Sequence, residues 1–284
     1  MSSQEPLFPD ELLAAVRRGG SPPERAAIAR LFGRNYSNAA GESPEFRDLR
    51  PYRVGDDLRR ADWNVYRRFG KLFIRRFCSL PEKRRLLILD NSESMRCRME
   101  RIRTAWRIAA LLGGAWLNSG DPVFLRAGNF GREFVPGCSG TAEFVAALTR
   151  CFDAPPALPR FDHGEKCDCC VISDFLHPEG MAAAERAILN VPGFTPVRIR
   201  EADEDAPHID GEVRLVDAES GNSTIIRPDR EILRRYHDNL RHLKELLDRA
   251  AARAGSCVRT FDAGIETPEL IRRTAEGFSI GSAK

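Results

Sequence analysis

The hydrophobic pattern along this chain runs in two regimes. Residues 8–32 place apolar side chains at helical spacing, and Gly19-Gly20-Ser21-Pro22-Pro23 breaks them into two short helices. Residues 33–44, rich in Gly, Ser and Asn, read as a loop, and the polar stretch after them holds one clear strand-like segment, Leu72-Phe73-Ile74. From Arg85 the pattern changes. Leu86-Leu87-Ile88-Leu89 is an unbroken apolar run, as a strand covered on both faces of a parallel sheet requires. Met99, Ile102, Trp106, Ala109, Leu112 and Trp116 then fall at steps of three and four, predicting a helix that Asn118-Ser119-Gly120 ends. Strands are expected at 123–125, 133–135, 169–173, 195–199 and 258–261. Helices are expected over 142–151, 181–189 and 229–254, and from about residue 268. Residues 211–226 read as a β-hairpin. Alternating strands and helices predict an α/β fold with a doubly wound, mostly parallel sheet. The organisation expected is an N-terminal helical segment (1–34), a basic region (35–84) and an α/β domain (85–284) with a hairpin insertion near 211–226.

Charge sharpens that division. The chain of 284 residues has a net charge of +3, too small to name a partner. Between Glu45 and Arg85, however, thirteen Lys and Arg face six acids. Asp56, Asp57 and Asp62 interleave with these arginines, which favours a charge-paired turn over a phosphate-binding face, so nucleic acid is not the expected partner. No run approaches the roughly 18 apolar residues of a membrane span. The start, Met1-Ser2-Ser3-Gln4-Glu5-Pro6, shows no apolar signal core, so the expectation is a cytoplasmic protein whose eight cysteines are thiols.

The candidate chemistry sits at Asp90-Asn91-Ser92-Glu93-Ser94, directly after the first buried strand. In a doubly wound sheet, ligand sites collect at the carboxyl ends of strands. A turn leaving the strand can aim alternate side chains at one point. Asp90, Ser92 and Ser94 then offer one carboxylate and two hydroxyls, hard oxygen donors suited to a single Mg²⁺ or Mn²⁺. So few charges would leave the ion electrophilic and ready for an acidic group from elsewhere.

This Asp-x-Ser-x-Ser pattern resembles the metal-ion-dependent adhesion site of von Willebrand factor A domains. The resemblance implies a von Willebrand factor A or Rossmann-like fold. It also implies two further residues: Thr141 after Gly140, with Ser139 as the alternative loop ligand, and Asp174 at the end of Val171-Ile172-Ser173. Ser92, Ser94 and Thr141 would touch the ion, and Asp90 and Asp174 would act largely through bound water. At Asp174, Ser173 and Phe175 stand where Thr and Gly are usual.

The basic region carries a second resemblance. Glu45-Phe46, Leu49-Arg50, Tyr52, Gly55-Asp56-Asp57, Arg59 and Asp62-Trp63 are similar to the signature of the bacterial "domain of unknown function 58" family, and Arg67, Arg68, Gly70 and Leu72 continue it. The resemblance spans roughly residues 35–280. It implies a protein-binding adaptor or chaperone-like role beside a MoxR-type AAA+ ATPase. Arg50, Tyr52, Gly55, Asp56, Asp57, Arg59, Asp62 and Trp63 would form a partner-binding or structural surface.

Rival chemistries leave weaker traces. Cys167 and Cys170, with His163 nearby, have half of a zinc spacing, yet Cys169 and Cys170 equally suit a buried strand. The five histidines lack nucleophile partners or a His-Glu-x-x-His spacing, and no phosphate-binding Gly-rich loop followed by Lys is present. Asp90 could resemble a phosphatase nucleophile, but Ser92 stands where a second acid is needed. The expectation is a metal-dependent binding module and not an enzyme. A Mg²⁺-dependent hydrolase using Asp90, or a structural protein with an empty site, remain the alternatives.

Overall fold

The computed structural model describes residues 5–18, 46–51, 65–67, 70, 73–77, 84–137, 140–158, 167–177, 179–189, 191, 193–205, 207 and 211–276. The chain divides into two compact units, Ser37–Glu82 and Met1–Tyr36 with Lys83–Lys284. In the smaller unit, β1 (Phe46–Pro51) pairs antiparallel with β2 (Phe73–Phe77), with a bulge between Phe46 and Asp48. Arg50 falls on β1. Tyr52, Gly55, Asp56, Asp57, Arg59, Asp62 and Trp63 lie outside the described residues.

The larger unit is a mixed α/β structure around a six-stranded, mostly parallel sheet. Its strands are β3 (Arg85–Leu89), β4 (Val123–Ala127), β5 (Phe130–Phe134), β6 (Asp168–Ser173), β7 (Phe194–Arg200) and β10 (Arg259–Asp262). They lie in the order β10-β7-β6-β3-β4-β5, with β5 alone antiparallel to its neighbour. The chain builds outward from β3 to β5, then crosses back to β6 and builds the other way. The carboxyl ends of β3 and β6 thus flank the point where the winding reverses, which opens a crevice between their connections.

β3 is buried along its whole length, and its side chains alternate between the two faces of the sheet. Leu87 and Leu89 pack with Ile102, Trp106 and Ile172 on one face. Leu86 and Ile88 pack with Val171, Leu243 and Leu247 on the other. The first face is covered by α3 (Met99–Asn118) and α4 (Gly140–Phe152). The second is covered by α5 (Met181–Leu189) and α6 (Arg230–Arg253). The remaining helices are α1 (Asp10–Arg18), α2 (Glu93–Arg96) and α7 (Thr267–Glu276). Gly113 and Gly114 let α3's neighbours close in: a Cβ would stand 2.2 Å from the Phe144 ring at Gly113 and 2.6 Å from Val16 at Gly114. The second contact docks α1, whose Leu12 and Val16 are buried in the main core. The helical segment expected at 1–34 as a separate piece therefore contributes α1 to the sheet's own unit; residues 19–34 lie outside the described part.

Two lengths shape the carboxyl edge. α6 has 24 residues and spans about 36 Å, against about 20 Å for the six-residue β6. Its buried residues are Leu243, Leu246, Leu247, Ala250 and Ala251, all in its second half. Ile232, expected on the buried face, is exposed because the first half outruns the sheet. Between β7 and α6 the chain forms the expected hairpin, β8 (Val213–Val216) with β9 (Ser223–Ile226), with Leu215, Val216 and Ile225 exposed. Among the described residues no helix is long and apolar enough to cross a membrane.

Candidate metal centre

Asp90 leaves β3 at the winding reversal and is buried. Its N–H donates to Ile172 O at 3.0 Å, which ties the first loop residue to β6. Its Oδ1 accepts the Ser92 N–H at 2.9 Å, a local turn that folds the chain back on its own side chain. The fold-back brings the Ser92 and Ser94 hydroxyls to 2.9 Å from each other. Asn91, of opposite parity, faces away. It donates to Pro155 O at 3.2 Å and accepts from Arg96 Nε at 2.8 Å, and its carbonyl accepts the Ala157 N–H at 2.8 Å. Alternate residues thus divide as the sequence spacing implies.

Asp174 stands one residue past β6, also buried. Its Oδ1 accepts the Leu176 N–H at 3.0 Å and its Oδ2 accepts Arg101 Nη1 at 3.0 Å. The same nitrogen donates to Ser94 O at 3.2 Å, and Arg101 Nε donates to Glu201 Oε1 at 3.1 Å. Arg101, from the first turn of α3, therefore joins the Asp90 loop to the ends of β6 and β7. Ser173 Oγ donates to Asp90 Oδ2 at 2.5 Å and accepts the Phe175 N–H at 2.8 Å. Phe175 has φ 61°, a left-handed conformation costing a bulky residue about 1–2 kcal/mol. Its buried ring, edge-on to Phe194 at 6.0 Å, holds it there. This is the position where the resemblance leads one to expect glycine.

The electrostatics penalise charge on both acids. Burial, then the Asp174 carboxylate, pushes the Asp90 carboxyl far above its ordinary range, against the pull of the Ser173 and Ser92 hydrogen bonds. Burial also raises Asp174, although the Leu176 N–H and Arg101 oppose the rise. Arg101 pairs with Asp174 and with Glu201, and among the contacts described it does not reach Asp90.

Of the five expected site residues, the structure brings together Asp90, Ser92, Ser94 and Asp174. It does not bring Thr141. The Thr141 hydroxyl donates to Asn118 Oδ1 at 3.3 Å, at the far end of α3. That helix of 20 residues begins beside the Asp90 loop and ends about 30 Å away. The reason is β5. It turns back on β4 through Gly128-Asn129 and runs antiparallel, so the connection into α4 starts at the amino edge of the sheet. Ser139, the alternative, lies outside the described residues. The third stretch against the loop is instead the segment following α4, through Pro155 and Ala157.

Sequence reasoning missed Arg101, which is hidden in a helical pattern. It also missed Glu219, in the β8–β9 turn, whose Oε1 accepts the Ser94 N–H at 2.9 Å. An acid in a hairpin turn carries no signal of its own. Among the described residues, no group of three or more His, Cys, Asp or Glu is placed to hold a metal ion, so any ion must lean on the hydroxyls. The zinc alternative finds no support in placement: Cys170 belongs to the core on one face of β6, and Cys167 packs against that on the other. Burial pushes the Cys169 and Cys170 thiols up. His163 lies outside the described residues. Cys97, Cys151, Cys169, Cys170 and Cys257 are free thiols.

The family model described as "Protein of unknown function DUF58" matches residues 48–245. No curated protein matches the chain. Similar solved structures include the conserved hypothetical protein BatB from Bacteroides thetaiotaomicron, at 12% identity and a TM-score of 0.35, covering 69% of this chain and 98% of that one. Another is an aerotolerance-related membrane protein from Bacteroides fragilis NCTC 9343 with multiple mutations to serines, at 16% identity and a TM-score of 0.35, covering 69% and 99%.

Proposed function

The chain belongs to the DUF58 family of proteins of unknown function, and from that premise we propose that it is a metal-dependent protein-binding module of the von Willebrand factor A type, an adaptor beside a MoxR-type AAA+ ATPase, and not an enzyme. One observation carries the reading. Asp90, Ser92, Ser94 and Asp174 meet at the winding reversal, and of the two buried aspartates only Asp174 is paired with Arg101. Counted along the sheet, the strand order is the 3-2-1-4-5-6 of doubly wound folds, which supports the same placement.

The donor set fits one Mg²⁺ or Mn²⁺: adjacent hydroxyls, hard oxygens and two buried acids whose ionised forms a cation would stabilise. Ser92 and Ser94 would hold the ion directly, and Asp90 and Asp174 would act through water. Thr141 is left out of the set. When bound, the ion would supply an electrophilic position for a carboxylate oxygen of the partner. The rest falls to this chain's own residues. The Asp90–Ser92 turn sets the hydroxyls side by side. Ser173 fixes the Asp90 carboxylate, and Arg101 fixes Asp174 while neutralising part of its charge. The signature around Arg50 to Trp63 would serve as a second contact surface or a structural brace, and the protein would work in the cytoplasm.

The test is co-purification of a MoxR-type ATPase with the full chain. Capture in Mg²⁺, lost in EDTA and lost with Asp90→Ala, is the expected result. Capture indifferent to both treatments would overturn the metal dependence.

A further inference from the structure

The hairpin insertion ends on an acid that lies on the candidate site. Asp217 Oδ1 accepts the N–H groups of Glu219 and Ser220, each at 2.9 Å, and Gly221 N–H closes on Asp217 O at 2.9 Å. Those bonds hold the Asp217 carboxyl below its ordinary range and give the turn one shape. The shape presents Glu219 to the Asp90 loop, where its Oε1 takes the Ser94 N–H. Ser94 is the same residue whose hydroxyl lies 2.9 Å from Ser92 Oγ. Meanwhile the hairpin strands leave Leu215, Val216 and Ile225 exposed, so the insertion does not bury its apolar side chains in the core.

We infer that Glu219 is an in-chain stand-in for the partner's acid: it takes the open carboxylate position at the Ser92–Ser94 site, and the partner's acidic side chain must displace it. The inference rests on the metal-site reading above. With Oε1 anchored on Ser94 N–H, Oε2 would be the Glu219 oxygen available to a cation that Ser92 and Ser94 would hold. The exchange is balanced, one carboxylate leaving as another arrives, so no net charge is buried on binding. Displacing Glu219 would free the hairpin turn from the Ser94 N–H, which lets the site report partner capture through hairpin position.

The test uses the full chain with Mn²⁺ alone, read by water-proton relaxation, with acetate as the carboxylate probe. Glu219→Gln keeps an oxygen for the Ser94 N–H and removes the charge. The expected result is about one more exchangeable water on the bound ion than in the wild type, an affinity lower by about tenfold, and relaxation that falls when acetate is added. The wild type should barely respond to acetate. Identical hydration and identical acetate response in both proteins would overturn the inference. Asp90→Asn separates the two readings. If it abolishes Mn²⁺ binding while Glu219→Gln changes nothing, the metal site stands and the stand-in falls. If the wild type binds no Mn²⁺, the metal-site reading itself fails, and this inference with it.

Discussion

At each edge of the sheet a pair of aspartates stands beside an arginine, and the two edges treat them differently; at the carboxyl edge that arginine also pairs with Glu201. At the amino edge, Arg85 is buried at the start of β3. It gives Nε and Nη2 to Asp121 Oδ2 at 3.0 and 2.9 Å, and Nη1 to Asp168 Oδ2 at 2.6 Å. One guanidinium there satisfies both acids with geometry a planar fork suits. At the carboxyl edge, Arg101 contacts Asp174 but Asp90 depends on two serines and backbone. The pair repel each other and burial raises both. The same residue types thus make a brace at one edge and an unfinished site at the other. What separates them is whether the cation reaches both acids.

The largest effect expected is at the brace. Arg85→Met leaves Asp121 and Asp168 without their shared cation, and breaking a buried pair from one side costs about 3–5 kcal/mol. A urea melt should show that loss, while Mn²⁺ affinity of the folded protein should stay at the wild-type value. A small stability change would mean the two edges are alike after all.

Asp90→Asn should give the mirror image. Asn keeps an oxygen for the Ser92 N–H and a polar partner for Ser173, so the urea midpoint should hold or rise as a strained charge leaves. Mn²⁺ affinity by calorimetry should fall by about 100-fold, the upper end for outer partners of metal ligands. A destabilised variant with unchanged affinity would place Asp90 among the braces.

Much of this contrast could be read from the sequence, and the boundary is physical. Leu86-Leu87-Ile88-Leu89 declared a strand buried on both faces, and the Asp90 loop followed from alternation, which is a local property. Asp174 could be placed through the resemblance, which implies an acid at the end of that buried strand. Thr141 could not. Its position depended on the direction of β5, and a two-residue turn at Gly128-Asn129 reverses that direction without altering the apolar pattern. Arg101 and Glu219 were hidden for another reason. They act 73 and 125 residues away from Asp174 and Ser94, and no periodicity encodes a partner at such a distance. Phe175 is an instructive case, since its side chain obscured a backbone conformation normally marked by glycine.

A smaller effect probes how firmly the unfinished site is held. Ser173→Ala removes the hydroxyl that links Asp90 Oδ2 to the Phe175 N–H. The Asp90 carboxylate then keeps its Ser92 bond but loses its fixed orientation. Mn²⁺ affinity should fall by about tenfold, the lower end for outer partners of metal sites. Ser173→Thr should restore it, because the hydroxyl returns. Failure of Thr to restore binding would mean that volume beside β6, not the hydrogen bond, sets the site.

The least effect is expected at Thr141, and it tests the geometry most directly. Thr141 begins α4 on the amino side of the sheet, and its hydroxyl makes a 3.3 Å hydrogen bond with Asn118 on an exposed surface. Thr141→Ala should leave Mn²⁺ affinity unchanged and shift stability by no more than about 0.5 kcal/mol, as surface changes away from special features do. Asn118 still has its amide bonded to Val16 O at 2.7 Å, so α1 keeps its anchor on α3. The Ser94 and Ser173 hydroxyls, at the other end of the strands, would not sense the change. A Thr141→Ala protein that lost Mn²⁺ as Asp90→Asn does would require β5 and α4 to bring residue 141 to the carboxyl edge, and the antiparallel pairing of β5 with β4 would then be wrong.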